Sequence, residues 1–200
     1  MNNTAIIILA AGESSRLGNI KQLLPFKGKT LLQHVIDEAA KAGAEPIVVI
    51  TGANATKVSA SIDDSRVNVL INENWQVGMA SGIVAGVNKV VSLNDGIKKI
   101  IVAVCDQPFV TSALFERLDQ MQNESGKSIV ASTYADTIGT PALFATKYFD
   151  QLLSLKGDEG AKKILKNNSR DIATVNFPKG EIDIDSQKDY ENLLDEQKLG

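Results

Sequence analysis

The sequence predicts a three-layer α/β domain built on a mostly parallel central sheet. Continuous apolar runs rich in β-branched residues, typical of strands covered on both faces, alternate with stretches whose apolar residues recur at helical spacing. This strand–helix–strand alternation favours right-handed crossovers and helices on both faces of the sheet. With 200 residues, 44% of them hydrophobic, the chain can bury a core without disulfides or a structural metal.

Four strands and four helices account for the first part of the chain. In the first helix, Leu32, Val35, Ile36 and Ala39 recur at helical spacing, and Gly43 stands where the helix is expected to end. The predicted strands are 5–9, 46–50, 67–71 and 99–104, and the predicted helices are 31–42, 54–62, 81–91 and 112–122.

The pattern changes near residue 125, but no repeat, low-complexity segment or flexible linker separates the two parts. We therefore expect a single domain over residues 1–200, in which the last third closes over the same sheet. Its predicted strands are 128–134, 140–144 and 172–177, and its predicted helices are 145–155, 159–166 and 187–194.

Composition and charge exclude several classes of function. The net charge is −3 and basic residues form no run, which argues against binding to nucleic acid or to a membrane surface. Cys105 is the single cysteine and His34 the single histidine, so an internal disulfide, a Cys-rich zinc site and a multi-histidine metal cluster are excluded. The N-terminus lacks the basic segment of a signal peptide, and the apolar run 5–11 is too short to span a membrane, so we expect a cytoplasmic protein.

A loop of small residues follows the first predicted strand, at the sheet edge where α/β proteins bind ligands. Ala10, Ala11 and Gly12 let the backbone approach a ligand closely, and Arg16 and Lys21 can neutralise its phosphates. The loop matches neither GxGxxG nor GxxxxGK[ST], the common glycine-rich phosphate motifs. An ordinary glycine turn with solvated cations is the alternative.

Carboxylates after later strands are candidate metal ligands. Asp106 follows the predicted strand 99–104, where a carboxylate can hold Mg²⁺ together with substrate phosphates or can form a turn before Pro108. Asp183 and Asp185 precede the last predicted helix. We expect these two side chains to point to different sides of an extended segment, so that at most one meets the metal, and Asp185 can instead cap the helix.

Two further segments open predicted helices. In 78–82, free N–H groups at a helix start favour an anion or a sugar hydroxyl, and 157–161 has the composition of a helix N-cap. The other notable side chains carry structural expectations. Cys105 is expected to be a buried small hydrophobe, His34 a packed or surface residue, and Trp75 part of the core or of a pocket wall.

Taken together, these segments resemble the MobA-like nucleotidyltransferase family, and within it most closely the molybdenum cofactor cytidylyltransferases. The resemblance covers nearly the whole chain. The matching segments, in the family's order, are Leu9-Ala10-Ala11-Gly12, Ser15-Arg16-Leu17-Gly18, Lys21-Gln22-Leu23-Leu24-Pro25, Asn74-Trp75 with Gly78-Met79-Ala80-Ser81, Asp106-Gln107-Pro108-Phe109, Gly157-Asp158-Glu159-Gly160-Ala161 and Asp183-Ile184-Asp185.

The resemblance implies a Rossmann-like nucleotidyltransferase domain, with a nucleotide-binding part at about 1–125 and an acceptor-side part at about 126–200. It implies Mg²⁺ as cofactor, a nucleoside triphosphate as donor and a molybdopterin-type acceptor. The catalytic residues are then Arg16, Lys21 and Asp106, and the metal ligands are Asp106 with Asp185, preferred to Asp183. The nucleotide-binding residues are Leu9, Ala10, Ala11, Gly12, Lys21, Gly78, Ser81 and Asp106, and the acceptor-binding residues are Gly139, Thr140, Pro141, Gly157 and Asp158.

Two details of the resemblance bear on the substrates. Ala11 favours CTP, because in this family Leu-Ala-Ala-Gly goes with cytidylyl transfer and Leu-Ala-Gly-Gly with guanylyl transfer. The Gly-His-Pro of the closest relatives is here Gly139-Thr140-Pro141, which puts the acceptor in question. Two alternatives therefore stand beside molybdopterin cytidylylation. One is nucleotidyl transfer to a sugar or polyol phosphate, and the other is carriage of molybdopterin to a molybdenum hydroxylase without turnover.

Overall fold

A seven-stranded sheet forms the centre of the computed structural model, which describes residues 1–199. The sheet is made of β1 (Thr4–Ala10), β4 (Ile47–Thr51), β5 (Val67–Ile71), β6 (Lys99–Val104), β7 (Ile129–Tyr134), β8 (Thr137–Ala145) and β9 (Ile172–Asn176), and a separate hairpin pairs β2 (Pro25–Phe26) with β3 (Lys29–Thr30). The strand order is β5-β4-β1-β6-β8-β7-β9. Within the sheet, β8 alone runs antiparallel to its neighbours.

Helices cover both faces of this sheet. They are α1 (Leu31–Lys41), α2 (Ala55–Ala60), α3 (Met79–Leu93), α4 (Ser112–Ser125), α5 (Phe149–Leu153), α6 (Ala161–Asn167) and α7 (Gln187–Leu199). Within residues 1–199, none of them combines the length and the apolar composition that a membrane span requires.

The alternation of side chains along β1 separates the two cores. Ile6 and Ile8 are fully buried in one apolar cluster, which contains residues of α1 and α4. Ile7, between them, is fully buried in a second cluster on the other face, together with Ile83 and Val87 of α3. A strand buried on both faces needs apolar residues at every position, which is why its sequence is a continuous run. The predicted three-layer α/β class is confirmed.

The helix starts follow simple capping rules. Thr30 precedes α1 and its hydroxyl accepts a hydrogen bond from the N–H of Gln33, and Thr111 does the same for Leu114 at the start of α4. Gly43 has a φ of +72°, a left-handed conformation that glycine adopts without strain, just after the end of α1. These residues fix where the two helices begin and where the chain turns toward β4.

Two segments differ from the prediction. The predicted helix 145–155 is wrong at its start, because β8 extends to Ala145, which pairs with Lys99, and a 3₁₀ turn at Thr146–Tyr148 precedes α5. The hairpin of β2 and β3 was not predicted, because two-residue strands are too short to show a pattern of alternation.

A bulge interrupts the pairing of β7 with β8. Ala131 pairs with Ala142, but the next residue, Ser132, pairs with Gly139, so Thr140 and Pro141 fall outside the register. The buried hydroxyl of Ser132 donates a hydrogen bond to the carbonyl of Pro141 at 2.7 Å, which satisfies a backbone group that the bulge leaves free. Since β8 is antiparallel, this bulge lies toward the edge of the sheet at which β6 and β7 end.

The close contact of α3 with β1 leads to a stability prediction. A side chain at Gly86 would place its Cβ 2.7 Å from Cγ2 of the fully buried Ile7, so we expect Gly86→Ala to destabilise the protein by about 1–3 kcal/mol. A matched control is Gly82→Ala on the same helix, where the nearest atom is 3.5 Å away. Alanine favours helix, so this control should be neutral or stabilising by up to about 1 kcal/mol. Urea denaturation measures both, and equal effects would contradict the packing argument.

Candidate functional site

A cavity of about 630 Å³ opens at the sheet edge where β1 and β6 end. Its walls come from the loop after β1, the start of α3, the end of β6 and segments before and after β9. The cavity therefore collects residues that are far apart in the chain. The candidate residues from the sequence that line it are Leu9, Ala11, Gly12, Lys21, Gly78, Asp106, Thr140, Asp158, Asp183 and Asp185.

Lys21 joins two carboxylates in this cavity. Its Nζ lies 2.8 Å from Oδ2 of Asp106 and 2.8 Å from Oδ1 of Asp185, and the residue is only 9% exposed. Burial disfavours its charge, but the two carboxylates more than offset that effect and raise the pKa of Lys21 above its usual value. A 3₁₀ turn that begins at Lys21 sets its direction, with the backbone N–H bonded to the hydroxyl of Ser14.

Arg16 reaches the same carboxylate from the solvent side. Its Nη2 lies 2.9 Å from Oδ2 of Asp185, while 74% of the arginine side chain is exposed. Exposed ion pairs contribute little to stability, so the guanidinium can exchange this carboxylate for a phosphate at little energetic cost. Arg16 does not itself line the cavity but contacts Asp185, which does, whereas Lys21 is one of the lining residues.

Asp183 and Asp185 both line the cavity, so the expectation that they point to different sides is wrong. Residues two apart in an extended segment share a face, and it is Ile184 between them that turns inward and is fully buried. Its N–H donates to the carbonyl of Asp106, which fixes the segment beside β6. The Lys21 hydrogen bond lowers the pKa of Asp185, whereas desolvation and the charges of Asp106 and Asp185 raise the pKa of Asp183.

The side chain of Asp185 does not cap the last helix. Ser186 and Asp189 form that cap reciprocally, since the N–H of Ser186 donates to Oδ2 of Asp189 and the N–H of Asp189 donates to Oγ of Ser186. Both carboxylate oxygens of Asp185 instead accept from the two cations, Lys21 and Arg16. The alternative role for Asp185 is therefore excluded.

Gln22 supports the loop after β1 from beneath. Its Nε2 donates to the carbonyls of Ala10 and Gly12, at 2.8 Å and 3.0 Å, and the residue is 1% exposed. These bonds orient the amide and leave its buried Oε1 without a partner among the described residues. Ala10 is buried and does not line the cavity, so its contribution is the carbonyl that Gln22 holds. Gln22 belongs to a segment that the resemblance singled out, but no role was predicted for it.

The start of α3 is closed against the turn that precedes α6. The N–H of Ala80 donates to the carbonyl of Gly157 at 3.1 Å, so the expectation that this helix start offers its N–H groups to a ligand is wrong at that position. Ser81 also lies behind the wall, where its hydroxyl bonds Asn72 and the carbonyl of Gly78. Gly78 is required here, because a Cβ would lie 2.3 Å from the Gly157 carbonyl oxygen.

The segment 157–161 contains the N-cap of α6, as predicted. The residue at that position of α6 is Gly160, and no side chain makes a capping hydrogen bond there. Asp158 is instead exposed on the cavity wall, so it is a candidate for contact with a ligand.

The predicted acceptor-side residues divide into those that reach the cavity and those that support it. Thr140 and Asp158 line it, whereas Gly139, Pro141 and Gly157 do not. A side chain at Gly139 would meet the hydroxyl of Tyr134 at 2.2 Å, so this glycine makes room for the tyrosine that lines the cavity. The bulge thus places Thr140 on the cavity wall, and it places Gly139 against the ring of Tyr134.

Besides Gln22, sequence reasoning missed five polar residues of the cavity wall, namely Asn72, Gln107, Tyr134, Lys162 and Glu181. Gln107 is buried, and its Nε2 donates to the carbonyl of Gly180 while its Oε1 accepts from Thr140. It follows Asp106 in a segment that carried the resemblance, which was a usable signal. Lys162 and Glu181 lie in polar segments without any pattern that distinguishes them.

The remaining candidates have structural roles. Cys105 is 3% exposed, and burial raises the pKa of its thiol, so it behaves as a small hydrophobe rather than a nucleophile. His34 packs edge-on against Phe26 outside the cavity, and burial lowers the pKa of its imidazole. Trp75 lines the cavity, where a side chain at Gly52 would come within 2.6 Å of its Cβ.

The oxygen donors of this cavity fit a hard divalent cation. Asp106 and Asp185 already share one cationic group, and Asp183 lines the same cavity. Within residues 1–199, no three His, Cys, Asp or Glu side chains are grouped as a metal centre on their own. A cation here would therefore take one or two carboxylates and complete its coordination with water and phosphate oxygens, which is the usual pattern for Mg²⁺.

Sequence comparison finds a matching family model and several related proteins. The family model for the MobA-like NTP transferase domain matches residues 6–172. Nicotine blue oxidoreductase of Paenarthrobacter nicotinovorans is 34% identical over 113 residues, which are 56% of this chain and 53% of that protein. Purine catabolism protein PucB of Bacillus subtilis strain 168 is 25% identical over 195 residues, 92% of this chain and 93% of that protein. The match thus spans about half of the first relative.

Solved structures share the whole fold. Rv0371c from Mycobacterium tuberculosis H37Rv has a TM-score of 0.84 at 28% identity, covering 96% of this chain and 97% of that one. Its complex with manganese has a TM-score of 0.80 at 26% identity, covering 96% and 98%. Molybdopterin-guanine dinucleotide biosynthesis protein A from Archaeoglobus fulgidus, at 18% identity, has a TM-score of 0.72 over 98% and 100% of the chains, a likeness of fold alone.

The buried ion pairs of Lys21 lead to a pH-dependent prediction. We expect Lys21→Met to destabilise the protein at pH 7 by about 1.5–3 kcal/mol, the usual contribution of hydrogen bonds to charged groups. Because Lys21 lowers the pKa of Asp185, this stabilisation is complete above the ordinary aspartate pKa and is lost as pH falls through the lower pKa of the folded protein. The difference between the two proteins should therefore shrink below about pH 4.

Urea denaturation at about pH 7 and about pH 3.5 measures this difference. Lys57→Met, an exposed lysine of α2, is the control for removal of a positive charge. A loss of stability for Lys21→Met that is the same at both pH values would contradict the electrostatic origin.

Proposed function

This chain belongs to the MobA-like NTP transferase family, and we propose that it transfers the cytidylyl group of CTP to a molybdopterin-type acceptor and releases pyrophosphate. The class of reaction, nucleotidyl transfer, follows from the family, whereas the choice of donor and acceptor is the proposal. One observation carries it above all. Lys21, Asp106 and Asp185 meet in a cavity beside the loop of Ala11 and Gly12.

The proposed reaction joins two phosphates. An oxygen of the acceptor phosphate attacks the α-phosphorus of CTP, a new phosphorus–oxygen bond forms, and the bond from that phosphorus to the bridging oxygen breaks. The electron pair of the broken bond leaves with pyrophosphate. No substrate is oxidised or reduced, and positioning and charge neutralisation contribute more than proton transfer. A cavity with fixed cations and carboxylates suits such a reaction.

The chain's own residues have distinct tasks in this proposal. The backbone of Ala11 and Gly12 approaches the nucleotide, and Lys21 and Arg16 stabilise negative charge on the triphosphate. Asp106 and Asp185 would hold Mg²⁺, with Asp183 beside them. The bound cation would supply additional positive charge to the phosphates.

The packing around Ala11 supports a pyrimidine donor. A side chain at Gly52 would come within 2.8 Å of Cβ of Ala11 and 2.6 Å of Cβ of Trp75, so these two residues close tightly over the end of β4. Both line the cavity. A methyl group and an indole packed this closely narrow the space beside the loop, which favours cytosine over a purine.

The acceptor side supports a phosphorylated ring compound. Thr140, Asp158 and Tyr134 offer two hydroxyl groups, a carboxylate and an aromatic ring in the cavity lining. This combination suits hydrogen bonding and stacking to a pterin, and the product would then pass to a molybdenum hydroxylase. A sugar or polyol phosphate uses the same hydroxyl contacts without stacking on the ring, so it is the second candidate acceptor.

A single assay tests the proposed reaction. The protein is incubated with Mg²⁺ and molybdopterin cofactor, and pyrophosphate release is measured with each of CTP, GTP, ATP and UTP. CTP-dependent release that requires molybdopterin supports the proposal. Release that requires a sugar phosphate instead would replace the acceptor, and binding of molybdopterin without any release would indicate a carrier.

Asp106→Asn should lose turnover while the fold is retained. Its carboxylate is a proposed metal ligand, whereas its backbone carbonyl, which accepts from Ile184, is unaffected by the substitution. Lys21 keeps its bond to Asp185. We expect pyrophosphate release to fall by about 10²–10³, as for the loss of one preorganised electrostatic contact. The urea midpoint should fall only by the contribution of the Lys21–Asp106 ion pair, so the protein remains folded in the assay. Asp150→Asn on α5 is the matched control, and near-normal turnover by Asp106→Asn would remove the metal assignment.

Ala11→Gly should broaden the choice of nucleotide. Removing one methyl group from a pocket wall changes discrimination by about 1–3 kcal/mol, so the ratio of kcat/KM for CTP to that for GTP should fall by about 5–150-fold. Competition between CTP and GTP in the pyrophosphate assay measures that ratio. If the wild-type protein used GTP as well as CTP, the role of Ala11 would be refuted.

A further inference from the structure

Lys162 is a cation of the cavity wall to which the proposed mechanism assigns no task. It lies on α6, is exposed, and lines the same cavity as Lys21 and Asp106. Within the described part of the chain, its ammonium group makes no hydrogen bond or ion pair. Its neighbour Lys163 does not line the cavity and is bonded to Glu159 instead.

The other cations at this site are already engaged. Lys21 is bonded to Asp106 and Asp185, and Arg16 is bonded to Asp185. Two phosphorylated substrates must meet here, each with negative charge. Lys21 lies beside Asp106 and Asp185, which would hold a metal ion, whereas Lys162 is a basic side chain that α6 contributes to the same lining.

The position of Lys162 is fixed by the turn that precedes it. The carbonyl of Gly157 accepts the N–H of Ala80, and a Cβ at Gly160 would lie 2.9 Å from Sδ of Met79. This turn therefore packs directly against the start of α3. The first residue of α6, Ala161, is buried, so the backbone from which Lys162 projects is anchored while its side chain is free to move.

We propose that Lys162 binds the phosphate group of the acceptor and orients it for attack, a role that rests on the proposed nucleotidyl transfer. A lysine suits this task, because its ammonium is a compact charge on a flexible stem that can follow a phosphate monoester into place. The ligand chemistry is thus a phosphate monoester dianion on the acceptor side. Lys162 acts on the acceptor, and the cations of the loop after β1 act on the triphosphate.

Steady-state kinetics separate the two substrates. Pyrophosphate release is measured with molybdopterin varied at saturating CTP and with CTP varied at saturating molybdopterin, for wild type, Lys162→Ala, Lys162→Arg and Lys163→Ala. We expect Lys162→Ala to raise the KM for molybdopterin about tenfold or more, the usual effect of losing one charged hydrogen bond, and to change the KM for CTP less than about twofold. Lys162→Arg should recover part of the loss, and Lys163→Ala should match wild type.

A binding measurement tests the inference without turnover. Trp75 is the single tryptophan of the sequence and lines the cavity, so its fluorescence reports titrations with CTP, molybdopterin and glucose 1-phosphate. If Lys162→Ala selectively weakens the binding of a phosphate monoester, the assignment is supported. This holds even if the wild type proves to use glucose 1-phosphate rather than molybdopterin. Weaker binding of CTP alone would assign Lys162 to the triphosphate. Unchanged affinity for every ligand would show that Lys162 is only a solvated surface lysine. Either result overturns the proposal.

Discussion

The ammonium of Lys21 holds three distant parts of the chain at one point. It extends from the turn after the first loop to a carboxylate at the end of β6 and to another just before α7. Beneath the second carboxylate, Ile184 is buried in a small apolar cluster with Leu17 and Leu193. The ion pairs and this cluster together fasten the last helix over the first loop. The cavity depends on these contacts, because Lys21, Asp106 and Asp185 all line it.

The same contact explains how a site rich in carboxylates exists before any ligand arrives. Asp106 and Asp185 would repel each other without a cation between them, and the lysine supplies one permanently. It is held close to the end of the sheet rather than at the tip of a mobile loop, so the arrangement is formed in advance. Preorganised charge of this kind is effective in catalysis because it need not be rearranged during the reaction.

The fold was predictable from the sequence where burial of a strand on both faces requires a continuous apolar run. β1, β4 and β6 are largely apolar runs because most of their side chains enter one of two cores, and the predicted bounds differ from the observed ones by one residue at most. The hairpin 25–30 and the start of α5 were not predictable in this way. The two-residue strands of the hairpin are too short to show alternation. The start of α5 depends on the pairing of Ala145 with Lys99, which is distant in the chain.

The candidate site was partly predictable for a related reason. Loops and carboxylates that follow buried strands collect at one sheet edge, which is enough to bring Gly12 and Asp106 together. The partners of Lys21 are not visible in that pattern, because Asp185 reaches it from a segment that forms no strand. Likewise, the contact of Gly157 with Ala80 depends on how two helix starts dock, and only the folded chain shows it.

The bulge in β8 has a consequence for how such a protein can change its substrate. Along the rest of that strand, residues such as Leu143 and Phe144 are fully buried in alternate cores, so a replacement disturbs packing. Residue 140 lies outside the strand register and contributes to the cavity wall. A threonine, a histidine or another side chain can occupy it while the pairing of the neighbouring strands is kept. The bulge thus allows a residue of the cavity wall to vary while the hydrogen-bonded pairing that stabilises the sheet is kept.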